Sequence, residues 1–152
     1  MNMTSEIVMS LPNILLVEDS DDDIFFVSYA LEKAGIHNPL AVAKNGKELV
    51  AYLKGMDSPA HPAHAAFPAL LLLDLQMPQM NGFEVLNWLK TQPGLDSIAV
   101  VVLSNSYLES DRVAALRLGA DDVREKPSST AGLTQLVQEL CDKWLMREPV
   151  SF

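Results

Sequence analysis

The amino-acid sequence predicts an α/β fold in which a doubly wound, five-stranded parallel sheet is flanked by five helices. Short runs that are apolar on both faces alternate along the chain with stretches in which apolar residues recur every three or four positions. Runs of the first kind are typical of buried parallel strands, and the second spacing is typical of amphipathic helices. Strict alternation of the two favours a parallel sheet, because right-handed crossovers place helices on both of its faces.

Four of the five strands are predicted directly from compact apolar runs, which occupy residues 14–17, 40–43, 70–73 and 98–103. Because these runs are apolar at every position, each strand is expected to be buried on both faces. A fifth strand is predicted between Gly119 and Pro127 from the alternation alone. The residues there, Asp-Asp-Val-Arg-Glu, have almost no strand character of their own.

Five helices are predicted from apolar residues at helical spacing. Gly35 and Gly55 end the first two, since glycine commonly occupies the residue after a helix. Asn45, with Glu48 three residues later, is a capping-box pattern at the start of the second helix. The apolar faces of the five helices are predicted to be Ile24, Val27, Leu31 and Ala34; Leu49, Val50 and Leu53; Val85, Leu86 and Leu89; Val113, Ala114 and Leu116; and Leu133, Leu136, Val137, Leu140 and Trp144.

The length of 152 residues predicts one domain with a single core. We expect residues 11–146 to form it, after a flexible segment at 1–10 and before a tail at 147–152. The formal net charge of −9 disfavours binding to nucleic acids and to anionic membranes. The longest apolar stretch, at 65–73, is far shorter than the roughly 18 residues that indicate a membrane span. The single cysteine, Cys141, cannot form an internal disulfide, and no signal-peptide pattern is present, so a cytoplasmic location is predicted.

The residues at the carboxyl ends of the predicted strands carry the chemistry. Ligands of parallel α/β sheets bind beyond these ends, where the sequence places Glu18, Asp19, Asp74, Ser104 and Lys126. Two carboxylates 4 Å apart repel by about 4 kcal/mol at an effective dielectric of 20, so a cluster of three requires a cation. Oxygen ligands without histidine or cysteine favour Mg²⁺. A carboxylate surrounded by a hydroxyl, an ammonium and a divalent cation suits phosphoryl transfer to that carboxylate.

Three segments together resemble the receiver domain of two-component response regulators, the CheY-like group. They are 72–82 (Leu-Leu-Asp-Leu-Gln-Met-Pro-Gln-Met-Asn-Gly), 14–19 (Ile-Leu-Leu-Val-Glu-Asp) and 126–127 (Lys-Pro). The resemblance covers residues 12–146 and implies a flavodoxin-like fold. It further implies a signalling protein rather than an enzyme, limited to self-catalysed phosphotransfer and slow autodephosphorylation. In this family a phosphohistidine on a sensor histidine kinase donates its phosphoryl group to an aspartate, which Asp74 matches.

The resemblance also implies the roles of the residues around Asp74. Asp19 matches a direct Mg²⁺ ligand, Glu18 an acidic neighbour that acts through water, and Gln76 a residue whose backbone carbonyl completes the protein's share of the metal shell. Ser104 matches the hydroxyl that hydrogen-bonds the phosphoryl group, and Lys126 matches the lysine that pairs with it.

Two positions depart from the family pattern, and one proline matches it. Val123 stands where receivers typically carry the Tyr or Phe of a rotamer switch, so signalling is expected to use another readout. Asn105 stands where a small residue is usual, and we expect its larger side chain to restrict small phosphodonors or water. Pro127 matches a proline that is usually preceded by a cis peptide.

Three further features resemble stand-alone receivers that partner bacterial phytochrome-type histidine kinases. They are the acid run at 20–23, the long loop at 55–68 and the Leu-Ser-Asn-Ser stretch at 103–106. A bacteriophytochrome kinase is therefore predicted as the partner. Since the receiver is expected to occupy nearly all of the 152 residues, we expect it to pass on its signal by a protein contact or by onward phosphotransfer.

Three alternative functions remain at this stage. Apolar residues at 144–152 predict a homodimer through the C-terminal helix and tail, which also suits a phosphorylation-independent docking scaffold. A phosphohydrolase with Asp74 as nucleophile would need a second aspartate two residues later, where the chain has Gln76. A flavodoxin-like electron carrier would need a Ser/Thr/Gly-rich loop after the first strand, where residues 18–23 are mostly acidic.

Overall fold

Five parallel strands form one sheet in the order β2-β1-β3-β4-β5. The computed structural model describes residues 13–55, 68–77, 80–105 and 108–145. Chain order reverses between β1 and β3, so the sheet is doubly wound as predicted. The strands are β1 (Ile14–Val17), β2 (Leu40–Ala43), β3 (Leu70–Asp74), β4 (Ala99–Ser104) and β5 (Asp122–Glu125). The fifth strand, predicted from alternation alone, is therefore confirmed.

Five helices cover the sheet, with α1 and α5 on one face and α2, α3 and α4 on the other. Among the residues that the structure describes, no helix is long and apolar enough to cross a membrane. The helices are α1 (Asp21–Lys33), α2 (Gly46–Gly55), α3 (Gly82–Lys90), α4 (Glu109–Arg117) and α5 (Thr130–Trp144), and a short 3₁₀ turn occupies Leu95–Ser97.

The sheet separates two apolar clusters, which share its central strands. In β1, Leu15 and Val17 pack in the cluster with α2, α3 and α4, whereas Ile14 and Leu16 pack in the cluster with α1 and α5. The same alternation continues in β3 and β4. The central strands are thus buried on both faces, which explains why their sequences are apolar at every position. Cys141 is buried in the α1–α5 cluster, and burial raises the pKa of its thiol to about 12.

One prediction about burial was wrong, and another was incomplete. The strand at 40–43 is not buried on both faces, because β2 is an edge strand and Val42 is 39% exposed. In α4 the buried residue is Ala115, which was not among the predicted apolar residues, whereas Val113, Ala114 and Leu116 are half-buried and Leu116 packs against the core. A helix that packs through one small residue leaves its larger apolar side chains along the rim of the contact.

Side chains cap four of the helices. Ser20 begins α1 and accepts a hydrogen bond from Asp23 N (3.2 Å), and Ser129 begins α5 and accepts from Gly132 N (3.0 Å). Asn81 and Glu84 form a capping box at α3. At α2, Asn45 Oδ1 accepts from Glu48 N (2.8 Å) as predicted, but Glu48 Oε1 accepts from Lys44 N rather than closing the box on Asn45. These caps orient the helices that begin at the functional edge of the sheet.

Several predictions fall on residues that the structure does not describe. They are the flexible segment at 1–10, most of the loop at 55–68 and the tail at 147–152. The homodimer contact predicted through that tail therefore stays a prediction. The peptide bond between Lys126 and Pro127 is described and is trans, which corrects the cis bond that the family pattern implied. Trans is the more stable isomer before proline by about 0.5–1 kcal/mol.

Gly82 allows α3 to begin directly against the end of β3. A Cβ atom at this position would lie 2.7 Å from both Asp74 O and Leu75 Cα. Gly82 N also donates a hydrogen bond to Leu75 O (3.0 Å). The contact is with backbone, which cannot rotate away as a side chain can. Glycine here therefore sets the position of the segment that carries Asp74.

We predict that Gly82→Ala lowers the free energy of unfolding by about 1–3 kcal/mol, the usual cost of overpacking a tight contact. Urea denaturation followed by circular dichroism measures it. Asn87→Ala is the matched control, because Asn87 is exposed on the same helix and alanine has the higher helix propensity. Equal stability of the two variants would contradict the close-contact interpretation.

Candidate functional site

Strand register brings the predicted site residues together. Val17 pairs with Leu73, so Glu18 leaves β1 beside Asp74 at the end of β3. Asp74 in turn pairs with Leu103, which precedes Ser104 on β4. Three strands therefore deliver their polar ends to one crevice at the carboxyl edge of the sheet, and β5 is the fourth.

The last of these strands adds the cation. Ser104 pairs with Glu125, and Lys126 follows directly, with its backbone N donating to Ser104 O at 2.9 Å. Over the described part of the chain, the buried polar residues are Glu18, Asp74 and Ser104, at 2%, 8% and 3% exposure. The Lys126 side chain is 9% exposed. Buried polar groups of this kind are costly unless they are paired, so their grouping indicates a functional site.

Three carboxylates form the acidic part of the crevice. One oxygen from each of Glu18, Asp19 and Asp74 lies within 4.8 Å of the other two. Backbone amides orient two of them: Ser20 N donates to Glu18 Oε2 and Gln76 N donates to Asp74 Oδ1, both at 3.2 Å. The predicted metal contact of Gln76 uses its carbonyl oxygen instead, and that contact stays a prediction.

Lys126 forms its close contacts with two acids. Its Nζ lies 2.5 Å from Glu18 Oε1 and 2.9 Å from Asp23 Oδ2. Within the described residues no ion pair joins Lys126 to Asp74, although the two charges act on each other through space. The ammonium is therefore held on the α1 side of the crevice, close to Asp74 without being bonded to it.

The electrostatics of the crevice reflect an excess of buried negative charge. Burial, together with the smaller effect of the Asp74 charge, raises the pKa of Glu18 to about 7 against the hydrogen bond and charge of Lys126. Burial likewise raises the pKa of Asp74, against the opposing charge of Lys126. Burial alone would lower the pKa of Lys126, but Glu18, Asp23 and Asp74 outweigh it and the pKa is raised. One ammonium thus does not compensate all the carboxylates, and a further cation would.

The residues present fit a hard divalent cation. Ligands on opposite sides of an octahedral Mg²⁺ are about 4.2 Å apart, since each Mg–O distance is about 2.1 Å. Three oxygens around one such ion include at least two neighbouring pairs, which are about 3.0 Å apart. The carboxylate oxygens lie within 4.8 Å of one another, so they would draw closer by up to about 1.8 Å to bind it. The donors are all oxygen and include an exposed residue, Asp19, which leaves the cluster open to water on one side. Glu18, Asp19 and Asp74 are therefore the side chains able to hold such an ion.

One functional contact was missed at the level of sequence. Asp23 was predicted only as part of an acid run, yet its carboxylate contacts Lys126. Of the three aspartates in the first turn of α1, Asp21 pairs with Lys44 (2.7 Å) and Asp22 is exposed. The position of Asp23 in the sequence could have indicated this contact, because the third residue of a helix that starts beside the crevice can point toward it. Sequence spacing alone does not show which of three adjacent acids does so.

Two departures from the family pattern have defined positions. Val123 is buried at 5% exposure in the cluster beneath α3 and α4. Asn105 is exposed and lines a cavity of about 110 Å³ together with Asp23, Phe26 and Lys126. The small side chain of Val123 lies within the core, and the larger side chain of Asn105 stands at an opening beside the lysine.

Comparison with known proteins identifies the family. The family model described as "Response regulator receiver domain" matches residues 14–138. The chain belongs to the response regulator receiver family. The response regulator Rcp1 of Synechocystis sp. (strain ATCC 27184 / PCC 6803 / Kazusa) is 34% identical to this receiver over 132 residues, which cover 87% of the chain and 88% of Rcp1.

Solved structures agree with this assignment. The phosphorylated cyanobacterial phytochrome response regulator RcpA superposes with a TM-score of 0.81 at 32% identity, covering 93% of this receiver and 99% of RcpA. The Mn²⁺-bound form of Rcp1 gives a TM-score of 0.77 at 32% identity, with coverage of 93% and 99%. This receiver is thus a two-component response regulator protein related to those of phytochrome systems, and its function is signalling.

We predict that Asp74→Asn stabilises the metal-free receiver by about 1–2 kcal/mol, because it removes one of three mutually repelling carboxylates while the Lys126 attraction offsets part of the gain. Urea denaturation in EDTA measures this effect. In excess Mg²⁺ the variant should gain less stability than wild type, since it has lost an anionic ligand.

Glu32→Gln is the control for Asp74→Asn, because it removes the same charge from an exposed site on α1. It should leave both the EDTA stability and the Mg²⁺ increment close to wild type. An Asp74→Asn variant that is destabilised in EDTA, or that keeps the full Mg²⁺ increment, would show that the carboxylates do not form a repelling, metal-binding cluster.

Proposed function

We propose that this receiver accepts a phosphoryl group on Asp74 from the phosphohistidine of a sensor histidine kinase, in a Mg²⁺-dependent reaction, and signals through protein contacts. The observation that carries the proposal is the placement of Asp74. It is a buried carboxylate at the end of β3, between the end of β1, which leads into Glu18 and Asp19, and the end of β4, which carries Ser104. The charge of Lys126 acts on it from the α1 side of the crevice.

The geometry supports Asp74 as the nucleophile. Gln76 N holds Oδ1, which leaves Oδ2 to attack the phosphorus atom. As the new O–P bond forms, the P–N bond to the donor imidazole breaks and its electron pair leaves with the nitrogen. The buried carboxylate carries few water molecules that must be displaced before attack, because only 8% of the residue is exposed.

The neighbouring residues act on the charge of the transferred group. Lys126 pairs with phosphoryl oxygens once its ammonium turns from the α1 side toward Asp74, and Ser104 donates a hydrogen bond to another oxygen. Glu18, Asp19, Asp74 and the Gln76 carbonyl would hold Mg²⁺, which when bound neutralises charge on the phosphoryl oxygens. Since Gln76 cannot exchange a proton as a carboxylate would, we expect only slow hydrolysis of the phosphoaspartate and no phosphohydrolase turnover.

We predict that Asp74→Asn abolishes acid-labile phosphate incorporation after incubation with a phosphorylated phytochrome-type histidine kinase and Mg²⁺. The amide is a far weaker nucleophile than the carboxylate and cannot form an aspartyl phosphate. Incorporation into wild type should also fall to background in EDTA. Asp142→Asn, an exposed aspartate on α5, should label like wild type. Labelling of Asp74→Asn at the wild-type level would exclude Asp74 as the acceptor.

A phytochrome-type histidine kinase is the proposed phosphodonor. The similarity to Rcp1 and RcpA supports this choice. A donor histidine has to reach Asp74, so the kinase must cover the surface around the crevice. On α1 that surface carries three exposed aromatic side chains, Phe25 (63%), Phe26 (43%) and Tyr29 (40%). Exposed aromatics of this kind commonly supply most of the binding energy at protein interfaces.

The three aromatic side chains form one patch that reaches the crevice. The Phe25 ring centroid lies 5.7 Å from that of Phe26 and 6.4 Å from that of Tyr29. Phe26 also lines the 110 Å³ cavity that Lys126 borders. A kinase that contacts this patch is therefore positioned beside the lysine and close to Asp74.

We predict that Phe26→Ala lowers the second-order rate of phosphotransfer from the kinase about tenfold, as expected for loss of an aromatic interface residue. Labelling by a small phosphodonor such as acetyl phosphate should be unchanged, because no docking surface is needed. Val42→Ala is the control, since Val42 is also about 40% exposed but lies on the edge strand. An equal loss with both phosphodonors would place Phe26 in the chemistry rather than in docking.

A further inference from the structure

We infer that Asp23 is a positioning residue that withholds the Lys126 ammonium from Asp74 and so sets how strongly the site binds a phosphoryl group. The inference rests on the proposed function of Asp74 as phosphoacceptor. Its basis is the geometry of one ion pair, in which Lys126 Nζ lies 2.9 Å from Asp23 Oδ2.

Lys126 cannot keep its present ion pair with Asp23 and also bind a phosphoryl group on Asp74. Its ammonium already contacts Glu18 at 2.5 Å and Asp23 at 2.9 Å, and its side chain is only 9% exposed. An ammonium donates three hydrogen bonds, and two of them are used on the α1 side of the crevice. Within the described residues no ion pair joins Lys126 to Asp74, so the ammonium has to move toward Asp74 before its third N–H can reach a phosphoryl oxygen. This movement weakens the outer of the two contacts, the one with Asp23.

Asp23 is the contact that can be given up. Glu18 is 2% exposed, so water cannot replace the ammonium there and only another cation could offset its charge. The Asp23 side chain is 31% exposed, so water can replace the ammonium there. Asp23 therefore competes with the phosphoryl group for Lys126, and the two interactions exchange as the site is filled.

The negative charge of Asp23 also opposes binding of a phosphoryl group. A phosphoryl group carries about two negative charges, and because it replaces the single charge of the Asp74 carboxylate, the crevice gains about one. Asp23 adds one more charge at the cavity shared by Phe26, Asn105 and Lys126. Replacing this carboxylate by an amide of the same shape should release the ammonium and also reduce the repulsion of the incoming anion.

The first turn of α1 supplies a matched control. Asp22 is adjacent to Asp23 in the same turn and is exposed to solvent. Asp22→Asn therefore removes the same charge from the same helix terminus without changing any contact of Lys126. A difference between the two variants isolates the ion pair from effects of net charge and of the helix dipole.

The test is calorimetric titration of the receiver with beryllium trifluoride, a phosphoryl analogue, in excess Mg²⁺. Asp23→Asn should bind the analogue about fivefold more tightly than wild type, the size expected for release of a partly exposed ion pair. Asp23→Glu, which restores the carboxylate, should return the affinity toward wild type. Asp22→Asn should bind like wild type.

Each outcome separates the inference from the proposed function. If wild type shows no Mg²⁺-dependent binding, or if Asp74→Asn still binds, the proposed phosphoacceptor site itself fails. If wild type binds and Asp23→Asn matches Asp22→Asn, Asp23 has no role in positioning Lys126. If Asp23→Asn binds more weakly than wild type, Asp23 assists the lysine rather than withholding it, and the inference is overturned.

Discussion

The burial of negative charge at the carboxyl edge of an apolar sheet is the constraint on which the rest of the structure depends. Glu18 and Asp74 are almost completely removed from water at the ends of strands whose other side chains are hydrophobic. Such groups persist only when amides, an ammonium or a cation offset their charge. Backbone amides in the turns after β1 and β3 donate hydrogen bonds to the two carboxylates, and Lys126 after β5 supplies the ammonium. The chemistry of the site and its cost to the fold therefore have the same origin.

Most of the architecture could be predicted from hydrophobic periodicity, because central strands buried on both faces leave a distinct apolar run. The predictions of burial failed at the edge of the sheet, where a strand has a neighbour on one side only. Residues 40–43 look like a central strand, but β2 lies at the edge and exposes Val42. The fourth helix packs through Ala115, since a small residue permits close approach that a pattern of larger apolar residues does not reveal.

The grouping of the polar side chains at one edge of the sheet was predictable, but the contacts between them were not. Strand ends meet at one edge in any parallel sheet, so the acids, the serine and the lysine could be grouped before their geometry was known. Which carboxylate the lysine contacts depends on side-chain directions at the start of α1, and these follow from tertiary packing. One helix consequently presents two kinds of side chain: its aromatic residues are exposed to solvent, while Asp23 contacts Lys126. A partner that displaces α1 slightly would alter the reach of the lysine at the same time.

The strand register has a consequence for how this protein can change over evolutionary time. The register between neighbouring strands fixes where each strand ends relative to the next. This register brings together four side chains, those of Glu18, Asp74, Ser104 and Lys126. One residue inserted into β3 would advance Asp74 by about 3.3 Å and turn its side chain to the opposite face of the sheet. Substitutions can accumulate on the helices and in the connecting segments, but the lengths of the central strands cannot drift. The receiver is therefore free to acquire new partners through its surface while the spacing of its strands stays the same.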